Sequence, residues 1–268
     1  MLTYPRRERP RAQRPHSLKQ EYEEFILQRI EEFKDGLSRE QLLGIADEAV
    51  RELEAEDQFL LTELLMLEQV DRLITRRLKL PGYRKWRERH LKLRRAQRQP
   101  THWGLDSETP LTDLAARLDD TDLAVALGSG AAPAGLYLAA LDVSVLLIDQ
   151  DLAAVEAAEN LAAVEGLASR FQALVVSLGH WFPEAEPALV VIDAVTLGGL
   201  EATARIELIE TLKERTVTGG MHCILPAQSR RDVISLAPEA LHGQYAEWVV
   251  QRPRRADRRS GWFLATKP

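Results

Sequence analysis

The sequence predicts an α/β protein: a doubly wound, mainly parallel sheet of seven strands with a terminal antiparallel hairpin, preceded by an all-α region. Three observations predict it. Residues up to about 104 carry apolar positions at helical spacing, without strand-like alternation. From residue 123 onward, five short, continuous apolar runs alternate with helical stretches. The last two apolar runs have only turn-forming residues between them.

The first helix opens with Ser17 and Gln20, a capping-box pair, and carries Leu18, Tyr22, Phe25, Ile26, Ile30 and Phe33 before Asp35-Gly36 ends it. Ser38 and Gln41 repeat the start signal. Apolar residues from Leu42 to Ile74 then support one long helix or two stacked ones, up to Pro81-Gly82. A fourth helix, residues 83–98, is basic on nearly every side, with Trp86 and Leu93 as its apolar anchors. Thr109-Pro110 is an N-cap followed by a first-turn proline, which starts a short helix through Leu114 and Leu118.

The sheet follows. Strands are expected at 123–127, 143–148, 171–176, 188–192 and 221–225, with helices at 133–140, 152–165 and 201–215. Uninterrupted apolar runs of this length suit strands buried on both faces, so helices should cover both sides of the sheet. Residues 245–251 and 262–266 form the closing hairpin. The organisation is thus a helical, basic module over residues 1–104 and an α/β domain over 105–268.

Composition bounds the function. With 45% hydrophobic and 28% charged residues, the chain is globular. Neither a membrane span nor the apolar stretch of a secretory signal is visible, which points to the cytoplasm. The single cysteine, Cys223, excludes an intramolecular disulfide and any zinc site needing two thiolates. The net charge of −6 hides an asymmetry: residues 1–100 hold 22 Lys and Arg against 18 Asp and Glu, and the rest hold 13 against 23. Residues 72–98 alone hold 12 bases and one acid, Glu88. Arg72, Arg76, Arg77, Arg84, Arg87, Arg94 and Arg95 are candidates for contact with a nucleic acid or an acidic protein partner. The alternatives are a solvated helical face and a homodimer through the N-terminal helices.

The chemistry gathers at the ends of the strands. The first strand runs into Gly128-Ser129-Gly130, where glycines let the backbone turn tightly before a helix N-terminus, a nucleotide-type loop. The second strand ends at Asp149, nineteen residues after Gly130, where a carboxylate can accept hydrogen bonds from both hydroxyls of a ribose. The competing role for Asp149 or Asp151 is to cap the next helix. The third strand leads to Ser177-Leu178 and the fourth ends at Asp193. His180 is a candidate general base, with Trp181 a candidate cover for a ligand ring, or the two simply close a loop. His222 and Cys223 read as core, and the six histidines lack metal-ligand spacing.

From Leu123 to Pro268 the sequence resembles the class I S-adenosylmethionine-dependent methyltransferases. The helix carrying Gly135-Leu136-Tyr137-Leu138-Ala139 is similar to that of the tellurite-resistance and related small-molecule branch. The resemblance implies a methyltransferase-like sheet whose seventh strand is antiparallel, and S-adenosylmethionine as cofactor. It implies Gly128, Ser129 and Gly130 beside the methionine part, Asp149 on the ribose, and Gln150 near the adenine. Ser177 and Leu178 would flank the adenine ring, and Asp193 would face the substrate. Three positions depart from the family pattern. Ala126 stands where an acid is usual, Ala132 where a third loop glycine is expected, and Ser177 at the place after the third strand where a polar or acidic residue is usual. The function implied is methyl transfer to an acceptor the sequence does not name. The alternative is a degenerate methyltransferase fold serving as a nucleic-acid- or protein-binding scaffold. A nicotinamide-dependent oxidoreductase is disfavoured by Pro133 and the terminal hairpin.

Overall fold

The computed structural model describes residues 17–55, 63–119, 121–178, 181–225, 238–251 and 262–268. Two compact units divide between Leu93 and Arg94, inside one helix.

The first unit holds α1 (Leu18–Asp35), α2 (Arg39–Ala55), α3 (Glu63–Leu78) and most of α4 (Tyr83–Gln97). Both capping boxes form. Ser17 Oγ accepts from the Gln20 amide and Gln20 Oε1 from that of Ser17, and Ser38 and Gln41 do the same. Each pair satisfies two of the orphan amides of a helix start. Ile30, Ile45, Ala49, Leu73 and Ile74 make a small core. Trp86 has its own niche, with ring centroids 5.4 Å from Tyr22, 6.1 Å from Phe25 and 4.5 Å from His90.

In the second unit the end of α4 is tied down by polar contacts. Arg94 and Arg98 both reach Asp142, Gln97 Nε2 donates to the Glu165 carbonyl at 2.7 Å, and Trp103 Nε1 donates to the Gln97 carbonyl at 2.7 Å. A 3-10 turn (Pro100–Trp103) and α5 (Leu111–Ala115) lead into the sheet; Pro110 rather than Thr109 stands at the N-cap of α5, which ends three residues short of Leu118.

The strands are β1 (Leu123–Leu127), β2 (Ser144–Asp149), β3 (Phe171–Val175), β4 (Leu189–Asp193), β5 (Met221–Leu225), β6 (Val249–Gln251) and β7 (Phe263–Thr266). Their order is β3-β2-β1-β4-β5-β7-β6, parallel except for β7, which runs antiparallel between β5 and β6. This is the methyltransferase-like, doubly wound sheet with a terminal hairpin. The strand order reverses between β1 and β4, which puts the ligand-binding switch point beside the loop after β1. One face of the sheet packs on α6 (Ala132–Ala140) and α7 (Leu152–Val164), through Ala126, Leu136, Tyr137, Leu147 and Phe171 among others. The other packs Val125, Ile148, Val190 and Ile192 against Leu208, Ile209 and Leu212 of α9 (Ala202–Arg215). The helix α6 rides close: a Cβ on Gly135 would lie 3.2 Å from Phe171 and 3.3 Å from the Ala126 methyl.

Two expectations need correction. β3 is not buried on both faces; Phe171 and Ala173 point inward while Gln172 and Leu174 are exposed. The reason is topological: β3 is an edge strand, and no helix is present among the described residues between β3 and β4 to cover its second face. The first half of the expected strand 245–251 is also not a strand. It follows α10 (Pro238–Gln244) as a turn, because Tyr245 and Trp248 turn inward onto His222 and Phe263.

His222 is fully buried in that aromatic nest, and its tautomer follows from its neighbours. The Thr216 hydroxyl donates to the Leu212 carbonyl at 2.6 Å, so its hydrogen is committed. His222 Nε2–H therefore donates to Thr216 Oγ1 at 2.8 Å, and Nδ1 accepts from the Tyr245 hydroxyl at 2.7 Å. Burial, reinforced by the charges of Lys213 and Lys267, lowers its pKa to about 3. Nearby, Lys267 Nζ donates to the carbonyls of Lys213 at 2.7 Å, Glu214 at 3.2 Å and Thr216 at 2.7 Å, closing the C-terminal end of α9 with a cation where the helix dipole favours one.

These contacts set two measurable outcomes. An unfolded His222 titrates near 6.5 and the folded one near 3, so between those values the unfolded chain holds the extra proton. Its contribution to stability is complete above pH 6.5 and is lost on acidification at up to about 1.4 kcal/mol per pH unit. Urea midpoints measured from pH 7 to pH 4 should show this acid-side slope, and His222→Gln should flatten it while lowering stability at pH 7. Lys267→Met should cost about 1–2 kcal/mol in urea unfolding, since it removes charge-assisted bonds to three carbonyls at a helix end.

Candidate functional site

Four strand ends lie on the carboxyl edge of the sheet, and two buried acids organise them. Asp149 closes β2 and is 4% exposed. Its Oδ2 accepts a hydrogen bond from the Ser129 amide, in the loop after β1, and its Oδ1 accepts from the Asp151 amide at 2.7 Å. The competition between Asp149 and Asp151 for the helix cap is resolved by geometry. Asp151 caps α7, its carboxylate accepting from the Ala153 amide at 2.9 Å, and this leaves Asp149 to hold the loop. Each Asp149 oxygen takes one backbone donor, so each retains a lone pair for a ligand hydroxyl.

Asp193 closes β4 and caps α8 (Ala194–Gly198). Its oxygens accept from the amides of Val195 and Thr196, both at 3.1 Å, and from the Thr196 hydroxyl at 2.8 Å. The same carboxylate packs flat against the loop. A Cβ on Gly130 would lie 2.6 Å from the Asp193 carboxyl carbon, which explains the glycine. Gly128 is required twice over: its φ of +87° is left-handed, and a Cβ there would lie 2.7 Å from the Thr196 Cβ. Thr196 is the residue that sequence reasoning missed. The signal was present in Asp193-x-x-Thr196, an N-cap followed by a hydroxyl three residues on.

The remaining candidates separate into two groups. Ser129, Gly130, Gln150 and Ser177 are exposed and form a polar rim around the Asp149 carboxylate. The rim is contiguous because Asp149 pairs with Val175 in register and the Val176 amide donates to the Asp149 carbonyl at 2.8 Å. Leu178 is buried and packs in the core with Ile148 and Phe182. His180 lies outside the described residues, and Trp181 beyond it is 58% exposed. Ala126, in the place of the usual acid, is 1% exposed under Gly135, where a carboxylate would enter an apolar cluster without a partner. Chemically, the edge offers acceptors for hydroxyls and a polar rim, the equipment of a binding platform. The Asp193 oxygens are occupied by three donors of their own helix cap, which suits positioning of the loop.

The basic residues are less free than their number suggests. Arg72 pairs with Glu68 at 2.7 Å, Arg76 with Glu52 at 2.5 Å, Arg77 with Glu48, Arg84 with Glu88 at 3.5 Å, and Arg94 with Asp142 at 3.3 Å. Arg87 lies over the Tyr83 ring at 6.0 Å, and Arg95 is exposed. No helix among the described residues is long and apolar enough to cross a membrane.

No protein-family model and no curated protein matches the sequence. Among solved structures, the chain is similar to TehB from Haemophilus influenzae at 19% identity and a TM-score of 0.46, covering 59% of this chain and 61% of TehB. It is similar to the glycopeptide N-methyltransferase MtfA at 16% identity and a TM-score of 0.48, covering 61% and 97%. It is also similar to the N-methyltransferase NodS from Bradyrhizobium japonicum, at 17% identity and a TM-score of 0.44, covering 68% and 87%. The likeness is one of fold, which the strand order β3-β2-β1-β4-β5-β7-β6 carries by itself.

Proposed function

We propose that the chain is an S-adenosylmethionine-dependent methyltransferase of the class I kind. One observation carries the reading: in a sheet of this order, a buried acid at the end of β2 is hydrogen-bonded to the glycine loop after β1 and keeps lone pairs for a ligand. The residues fit the cofactor. Asp149 would accept from the ribose hydroxyls, the backbone of Gly128, Ser129 and Gly130 would face the methionine part, and Gln150 and Ser177 would border the adenine. The cofactor, when bound, supplies an electrophilic methyl group. The chain's own task is to hold donor and acceptor in line, and Asp193 serves it by fixing the loop from the β4 side. Structures of MtfA with S-adenosylmethionine, sinefungin and S-adenosylhomocysteine make these three ligands natural probes.

Calorimetric titration with S-adenosylmethionine and S-adenosylhomocysteine tests the reading. Binding is expected, and Asp149→Ala should weaken it roughly ten- to a hundredfold, the cost of leaving buried hydroxyls without an acceptor. Absence of heat at millimolar ligand would replace the enzyme reading with the scaffold one. The clamp has a separate signature. Gly130→Ala forces the Asp193 carboxylate off its helix cap, and Asp193→Ala removes that carboxylate. A double-mutant cycle should therefore give a double variant more stable than the sum of the single losses implies, by about 0.5–2 kcal/mol in urea unfolding. Additive losses would mean that the contact is not under strain.

A further inference from the structure

The bases of the second unit gather at the amino edge of the sheet. Arg94 and Arg98 sit on Asp142, just before β2, Arg117 and Arg170 precede β1 and β3, and Arg215 and Lys267 lie at the C-terminal end of α9. The carboxyl edge is different. In the turns and first helical turns that follow β1, β2, β3 and β4, the described residues carry one base, Arg205, near the acids Asp149, Asp151, Asp193 and Glu201. α9 links the parallel strands β4 and β5, so it starts at the carboxyl edge, and Arg205 belongs to its first turn. The residue stands three, four and seven places ahead of Leu208, Ile209 and Leu212, and so shares the inner face of the helix with them. Helical side chains lean toward the N-terminus, which directs this one to the edge. Its Nε is buried without a hydrogen-bond partner, the residue as a whole is partly exposed, and no acid pairs with it among the described residues. The outer end of the guanidinium is therefore the part that meets solvent. The glycine loop is close by: Thr196 of α8 abuts Gly128, and from the end of α8 at Gly198 to Ala202 the chain can span at most about 14 Å.

From this placement we infer that Arg205 receives an oxyanion, a carboxylate or a phosphate, of the methyl acceptor. That the ligand is the acceptor rests on the methyltransferase reading; that it is an anion rests on Arg205 itself. An arginine that only covers apolar surface with its stem turns its nitrogens to water, whereas Arg205 hides one of them. A methionine there would extend the row of Leu208, Ile209 and Leu212 without leaving a buried donor unmet. The charge is what the arginine adds. The two terminal nitrogens of a guanidinium match the spacing of two oxygens of a carboxylate or phosphate, and an otherwise acidic edge gives such a group one place to dock. Asp149 and the glycine loop belong to β1 and β2, while Arg205 enters from the element after β4, on the far side of Asp193. An acceptor held there by its anionic end lies beside the cofactor rather than in its place.

The test uses the full chain and 4-fluorobenzoate, followed by fluorine NMR at about 50 mM salt, where screening is weak. Millimolar binding is expected for so small an anion, competed by benzoate or phenyl phosphate and not by benzyl alcohol. The better competitor names the anionic group. Arg205→Met should lose at least about tenfold in affinity and Arg205→Lys about threefold, because lysine keeps the charge and loses the fork. Arg215→Met, at the other end of α9, should change little. The urea midpoint of Arg205→Met should equal or exceed that of the parent, which a merely structural arginine would not allow. Calorimetry with S-adenosylhomocysteine should give the same affinity for Arg205→Met as for the parent. No binding of 4-fluorobenzoate, binding unchanged in Arg205→Met, or a lowered urea midpoint would overturn the proposal. A tenfold loss of S-adenosylhomocysteine affinity in that variant would assign Arg205 to the cofactor and overturn it as well. Arg205-dependent binding of 4-fluorobenzoate by a chain that binds no S-adenosylhomocysteine would support the anion site and remove the methyltransferase reading.

Discussion

The second unit turns on the contact between the Asp193 carboxylate and the backbone of Gly130. β1 ends in a short, tight loop whose buried side chain is the Ala131 methyl, and a single methyl anchors little. Two buried carboxylates do that work from opposite flanks, Asp149 through the Ser129 amide and Asp193 by lying against Gly130. Both acids stand at the last residue of a strand, so the register of the parallel ladder sets their positions. Sequence, in the form of two glycines and two aspartates, thus becomes geometry only when β1, β2 and β4 align. The loop, in turn, lies where the strand order reverses.

Packing explains the departures from the family pattern. Ala126 is small because α6 crosses over it at Gly135, and Gly135 is absent of side chain because Phe171 and Val145 lie beneath the same crossing. A carboxylate at 126 would need α6 to lift. The alanine therefore reflects a close helix-to-sheet contact, and the buried acids that hold the loop are Asp149 and Asp193.

Much of this was legible in the sequence because its causes are local. Ser17 with Gln20 and Ser38 with Gln41 announce helix starts through contacts three residues apart, and continuous apolar runs mark β1, β2, β4 and β5 within a residue or so. The glycine loop and Asp149 stood out by spacing. What escaped depends on partners distant in the chain. The pairing of Arg76 and Arg77 with Glu52 and Glu48 needs the α2 and α3 surfaces to face each other. The inward turn of Tyr245 needs His222 waiting behind it. The exposure of Leu174 follows from which strand lies at the edge, although Gln172 beside it already broke the apolar run. Asp193 was visible as a residue, and its role was not, because the contact with Gly130 joins positions 63 apart.

The antiparallel β7 has a consequence for how the chain is made. It lies between β5 and β6 yet follows both in the sequence, so β5 has no partner on that side until residues 263–266 exist. Synthesis proceeds at roughly 5–20 residues per second, which leaves the edge of β5 open for some seconds after β1 to β5 can pair. During that interval its free backbone amides and carbonyls, with Met221, Cys223 and Leu225 beside them, form a template for any passing strand. β7 is thus the strand whose late insertion seals the sheet, and the parallel half must persist unsealed in the meantime.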